Sequence, residues 1–182
     1  MILNSKFKLI TGLGNPGKKY ENTYHNAGFL FIQNKIPPNS KFSRSAGSRP
    51  AGQIPNSKKF EYLKINGLIF VKPSTFMNDS GQAVTAALKY FSVRAGEILV
   101  IHDDSDIKFG KIKLSFGRGA AGHHGVESII SNLKTKNFWR LRIGIGKEEK
   151  RKKEKAGEIV LKKITPADKL VWKRLFSDLK LL

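Results

Sequence analysis

Two periodicities alternate along this chain, and that alternation narrows its fold more than any other feature. Short apolar or strictly alternating runs, the length of strands, take turns with longer stretches whose apolar residues recur every three to four positions, the spacing of a helix face. Phe7 to Gly12 (FKLITG) is apolar and β-rich and meets a Gly/Asn/Pro turn, so it predicts a buried first strand. Asn26 to Lys35, with Ala27, Leu30 and Phe31, suits a helix that Pro37-Pro38 ends. Phe60 to Lys72 holds two strand-like runs around Asn66-Gly67, the dipeptide that supplies positive φ for a tight hairpin. Ser80 to Phe91 places Val84, Ala87, Leu88 and Phe91 on one helical face, and Glu97 to Ile101 (EILVI) predicts a buried strand that runs into an acidic turn. Lys111 to Phe116 alternates, with Ile112, Leu114 and Phe116 opposite Lys111, Lys113 and Ser115. Val126, Ile129, Ile130 and Leu133 mark another helix, and Arg140 to Ile145 alternates again. Thr165-Pro166-Ala167-Asp168 reads as N-cap, Pro at the first helical position and an acidic third, opening a C-terminal helix over 166–180 that carries Leu170, Trp172, Leu175 and Leu179.

Strands interleaved with helices predict an α/β fold, here a single domain over 1–182 whose twisted mixed β-sheet is covered by helices. The length of 182 residues suits one domain. Residues 37–59, rich in Pro, Ser, Asn and Lys, read as an exposed excursion or irregular edge strand, and 147–155 (KEEKRKKEK) as a mobile charged loop. There are no cysteines, which removes disulfide frameworks, Cys-ligated zinc, iron–sulfur clusters and Cys nucleophiles and fits a reducing compartment. No run of 18 apolar residues exists, and the N-terminus lacks a signal peptide's apolar core, so a soluble cytoplasmic chain with no membrane partner is expected.

Charge narrows the partner. The chain carries 34 Lys and Arg against 14 Asp and Glu, a net +20. The surplus is uneven: residues 1–72 hold 12 basic and 2 acidic side chains, 73–133 hold 6 of each, and 134–182 hold 16 and 6. A field of this size favours a polyanion, nucleic acid first and an anionic membrane second. The alternative is a lysine-rich composition without functional meaning.

Several motifs are weaker than they look. Gly12, Gly14 and Gly17 match the glycine spacing of a dinucleotide-binding turn, but the polar KKYENTYHN follows where a helix should start, and no acidic ribose ligand stands about 20 residues on. No nicotinamide or flavin cofactor is expected. The four histidines (25, 102, 123 and 124) show no metal-ligand spacing, and the 123/124 pair points opposite ways on an element, so no metal is expected. No G-x-S-x-G elbow is present. A catalytic chain of this kind needs water as nucleophile, a base, a carboxylate to orient it and neutral donors for an oxyanion. His25 and the carboxylates of HDDSD (Asp103, Asp104, Asp106), at the C-terminal end of a strand, are the available parts. Taken singly, His25 reads equally as a capping or core histidine, and the aspartates as turn residues bonding their own backbone.

Five separated segments add a resemblance. GLGNPGKKYENTYHNAGF (12–29), KPSTFMNDSG (72–81), HDDSDIKFGKIKL (102–114), GHHGVESII (122–130) and FWRLRIGIG (138–146) resemble, in order and spacing, the signature segments of bacterial peptidyl-tRNA hydrolases. The resemblance implies a monomeric α/β hydrolase that cleaves the ester joining a peptide to the 3′ ribose of tRNA. It implies His25 as the base, Asp103 as the group that holds its imidazole, and Asn15 and Asn78 as residues that position water and substrate. It further implies that Tyr20 meets the tRNA end, that Phe76 and Met77 line the peptide channel, and that Asn26, Lys113 and Arg142 contact substrate or tRNA. One departure stands out: the family's Gly-Gly-His-Asn-Gly is here Ala121-Gly122-His123-His124-Gly125, so His124 replaces the asparagine that assists at the substrate's 3′ end. Ser115 and Phe116 also stand where many members have basic side chains. The alternative from another class is an RNA-binding relative that keeps the fold with weakened turnover.

Overall fold

The computed structural model describes residues 7–44, 59–146 and 156–180. A seven-stranded mixed sheet runs through it in the order β2-β3-β4-β1-β5-β7-β6. Its strands are β1 (Leu9–Gly12), β2 (Ser43–Arg44), β3 (Phe60–Ile65), β4 (Leu68–Pro73), β5 (Ile98–Lys108), β6 (Ile112–Phe116) and β7 (Trp139–Gly146). β1 pairs in parallel with β4 and β5, and β5 in parallel with β7, while β2, β3 and β6 join antiparallel toward the edges. Asn66 and Gly67 both take positive φ between β3 and β4, as the hairpin dipeptide predicts.

Strand alternation sorts the core into two layers. Ile10, Leu99 and Ile101 face one side with Phe31 and Ile32 of α1 (Ala27–Lys35) and Trp172 and Phe176 of α5 (Pro166–Ser177). Leu9, Ile98 and Val100 face the other with Val84 and Leu88 of α2 (Ser80–Phe91) and Val126 and Ile129 of α3 (His124–Leu133). A single-turn helix, α4 (Ala156–Val160), precedes α5. The helix spacing expected for 80–91 is met residue for residue, and Thr165 caps α5 by accepting the Asp168 N–H at 3.1 Å with Pro166 at N1.

Four local expectations change. The HDDSD segment is not a turn after a strand: β5 continues through it to Lys108, because β7 keeps pairing with it to Gly144 and again at Gly146, across a bulge between Asp104 and Lys108. On β6 the alternation breaks at its end, where Ser115 is buried and Phe116 is exposed against Trp139. The C-terminal helix stops at Ser177 rather than 180, where the Lys35 ammonium takes the carbonyls of Phe176 and Leu179. Its core face is Trp172 and Phe176, and Leu170 lies outward. Most of the 37–59 excursion (45–58) and all of the 147–155 run lie outside the described residues.

Gly12 and Gly14 of the GLGNPG turn serve packing, whereas Gly17 supplies a positive φ in open space. A Cβ on Gly12 would lie 2.2 Å from the Gly28 carbonyl oxygen, and one on Gly28 would lie 2.3 Å from the Leu13 nitrogen, so α1 and β1 meet only because both residues are glycine. That close crossing sets the 3-10 turn Tyr24–Asn26 at the head of α1 against the C-terminal half of β5. The C-terminal region ties the same turn down: the Tyr24 hydroxyl donates to buried Asp168, the Tyr24 N–H donates to Lys162, and Lys163 Nζ donates to the carbonyls of Lys19 and Glu21.

Candidate active site

His25 stands on that 3-10 turn with 12% of its side chain exposed, and its Nδ1 lies 2.9 Å from Oδ1 of Asp103, which is 2% exposed. Burial alone would raise the Asp103 carboxyl, but the His123 and His25 imidazoles beside it and their hydrogen bonds outweigh that and hold it well below the usual carboxylate range. An ionised Asp103 only accepts, so His25 Nδ1 carries the proton, and its Nε2 is left with a lone pair.

His123 is the participant the sequence reading passed over. It caps α3 by accepting the Val126 N–H on Nδ1 at 3.3 Å, and its Nε2 lies 3.2 Å from the same Asp103 Oδ1. Since Nδ1 accepts, Nε2 donates, and one carboxylate oxygen receives an N–H from each of two imidazoles. His102 supports them from below. It is fully buried, its Nδ1 is 2.6 Å from the Asp103 carbonyl, and its ring packs edge-on against His123 at 4.6 Å. Burial first, and then the nearby His123, push its pKa well below the ordinary value, so it stays neutral.

His25, Asp103 and His123 bring three metal-type ligand atoms within 4.8 Å of one another. The tautomers do not suit a cation: His123 Nε2 holds a proton as long as Nδ1 caps α3, so only His25 and Asp103 are free to ligate. The trio is one hydrogen-bonded network of two imidazoles and a carboxylate.

Asn15, on the loop after β1, is tied through its backbone to Asn26, the residue that follows His25. Its Oδ1 accepts the Met77 N–H at 2.8 Å, which fixes the amide's orientation and leaves Nδ2 without a bond to any described residue. Asn26, expected as a substrate contact, is 4% exposed and spends its amide on the Asn15 backbone. Asn78 follows buried Met77 on an exposed turn, and its side-chain amide makes no hydrogen bond with a described residue. Tyr20 and Phe76 meet edge to face at 6.1 Å, with Phe76 52% exposed. A cleft of about 180 Å³ gathers His25, Asp103, His123, Gly122 and His124 on one side with Gly157 and Val160 of α4 on the other. His124 is 76% exposed at its rim and its Nδ1 pairs with Glu127 at 3.0 Å.

The profile of the family described as peptidyl-tRNA hydrolase matches residues 9–180. The chain belongs to the peptidyl-tRNA hydrolase family. It is 44% identical over 144 residues to the peptidyl-tRNA hydrolase of Lactobacillus johnsonii, covering 76% of this chain and 71% of that protein. It is 42% identical over 139 residues to that of Lawsonia intracellularis, covering 76% and 67%. The crystal structure of the peptidyl-tRNA hydrolase from Acinetobacter baumannii superposes with a TM-score of 0.76 at 32% identity, covering 95% of this chain and 84% of that one. The mixed α/β sheet is therefore the fold of solved peptidyl-tRNA hydrolases.

Within that family fold a second hollow, about 660 Å³, is lined by Lys113, Arg118, Arg140 and Arg142 together with Ser115 and Phe116. Arg142 is partly neutralised, since its Nε donates to Asp104 at 2.6 Å. Arg140 is 2% exposed, gives Nη2 to the Gly119 carbonyl at 2.8 Å, and leaves Nε and Nη1 without a partner. Lys113 is exposed on edge strand β6. A further hollow of about 470 Å³, lined by Asn15, Asn26, Phe29, Glu61 and Lys72 among others, lacks the histidine–aspartate pair. Among the described residues no helix is long and apolar enough to cross a membrane.

Proposed function

We propose that this chain, as a single cytoplasmic protomer, hydrolyses the ester between a peptide and the 3′ ribose of tRNA by the following route. His25 Nε2 takes a proton from a water, and the hydroxide forms a bond to the ester carbonyl carbon. The carbonyl oxygen becomes an oxyanion, and Asn15 Nδ2 is the neutral donor poised for it. Collapse breaks the bond between the acyl carbon and O3′, and the proton on His25 passes to O3′, leaving a tRNA with a free 3′-hydroxyl and a peptide carboxylic acid that loses its proton to solvent as the carboxylate. Asp103 keeps the base in its tautomer and stabilises the imidazolium that forms between the two proton transfers. Asn78 meets the acyl group, Tyr20 and Phe76 offer aromatic faces to the terminal nucleotide and peptide, and His124 sits beside the 3′ end. Phosphates of the acceptor stem take the hollow at exposed Lys113 and Arg118 and at Arg142, with buried Arg140 adding positive charge from beneath.

The observation that carries the reading is the 2.9 Å bond from His25 to an aspartate held ionised inside the cleft. The test follows labelled peptide from an N-acylaminoacyl-tRNA. The expected result is release of peptide and of tRNA with a free 3′-hydroxyl, at a rate that a chelator leaves unchanged. Tight tRNA binding without release would favour the RNA-binding relative instead.

A further inference from the structure

The turn that presents the base also grips Asn15. Asn26 directly follows His25, and its buried side chain makes two hydrogen bonds, both to Asn15: Oδ1 accepts the Asn15 N–H at 2.8 Å and Nδ2 donates to the Asn15 carbonyl at 3.0 Å. One amide thus supplies the acceptor and the donor that a neighbouring strand would otherwise supply. The Asn15 side chain is fixed in turn by the Met77 N–H. Met77 is wedged against α3, where a Cβ on Gly125 would lie 2.4 Å from its sulfur.

We propose that Asn26 is a positioning residue that acts through Asn15: it sets the height and direction of Asn15 Nδ2 relative to His25, so that base and oxyanion donor are placed by adjacent residues of one turn. This rests on the reading of Asn15 as the donor. The residue type follows from the bonding. Aspartate has the same shape but would set a carboxylate oxygen against the Asn15 carbonyl, glutamine is one methylene too long for the 11-residue loop it closes, and alanine leaves a buried N–H and C=O of Asn15 without partners. A contact to substrate is not left open to Asn26, because both of its polar atoms are engaged and only 4% of the residue is exposed.

The test is a double-mutant cycle on ester cleavage with Asn15→Ala, Asn26→Ala and the pair, repeated with the isosteric Asn26→Asp in case alanine unfolds the turn. Misplacing a donor by about 1 Å costs on the order of 10²-fold, so Asn26→Ala should lower kcat by roughly 10- to 100-fold. KM and the acid limb of kcat/KM should stay where they are, and the double variant should be no slower than Asn15→Ala. Multiplying losses, a raised KM or a displaced acid limb would overturn the proposal, because Asn26 would then act on substrate or on His25. If Asn15→Ala itself cleaves at the wild-type rate, the failure belongs to the reading of Asn15.

Discussion

The cleft and the basic hollow lie against neighbouring residues of one strand, yet they treat charge in opposite ways. In the cleft the charges are paired: Asp103 accepts from His25 and His123, and beneath them neutral His102 donates from Nδ1 to the Asp103 carbonyl. In the hollow four cations share one described carboxylate partner, Asp104 on Arg142, and buried Arg140 keeps two unpartnered N–H groups. The two meet at successive residues of β5: Asp103 takes the imidazoles, while Asp104, which also lines the cleft, takes Arg142 of the hollow. A site that moves a proton needs each proton's address fixed. A site that holds phosphates needs cations left unneutralised, and Arg140, drawn down from its usual pKa first by burial and then by Arg142, shows what such a site costs the fold.

The comparison breaks if chemistry and binding do not separate under mutation. Asp103→Asn should cause the largest effect of this kind: both imidazoles lose their anionic acceptor, and kcat should fall by roughly 10²- to 10⁴-fold while tRNA affinity and its salt dependence stay unchanged. The complementary change is Arg118→Ala. It should leave kcat within twofold but flatten the plot of log affinity against log salt by about one unit of slope, and a loss of kcat with an unchanged slope would merge the two regions.

A smaller effect concerns stability. Because the folded Asp103 carboxyl is depressed, its contribution is complete above the unfolded value near pH 4 and is lost as pH falls through the lower folded value. The melting-temperature gap between wild type and Asp103→Asn should therefore be constant from about pH 5 to 8 and shrink only below about pH 4. A gap that widens on acidification would mean that Asp103 is neutral in the fold. The least effect belongs to the rim. His124 is exposed and held by Glu127, so His124→Asn should change activity by no more than a few-fold. A much larger loss would place His124 among the residues that carry the reaction.

Much of this was legible in the sequence where local rules act alone. The Asn66-Gly67 hairpin, the 80–91 helix and the Thr165 cap follow from backbone preference and periodicity, and the structure repeats them. The acidic segment was misread as a turn because Asp and Ser favour turns, whereas β7 alongside it supplies ladder partners and Arg142 supplies a counter-charge. His123 escaped for a similar reason, and Asn26 was expected to contact substrate rather than to brace Asn15. A capping histidine and a buried asparagine carry no spacing signature, and their roles arise only when residues 15, 26, 103 and 123 are brought together by the glycine-to-glycine crossing of β1 and α1 and by α3. The burial of Arg140 was equally hidden, since an arginine in an alternating strand reads as the solvent face.

The central claim is that His25, held by Asp103, drives ester cleavage while the cationic hollow holds the tRNA. Single-turnover release of labelled peptide from enzyme-bound N-acylaminoacyl-tRNA tests it most directly, comparing wild type with His25→Ala at saturating enzyme. The account predicts a rate lower by roughly 10²- to 10⁴-fold with unchanged tRNA affinity. Equal rates in the two proteins would contradict it.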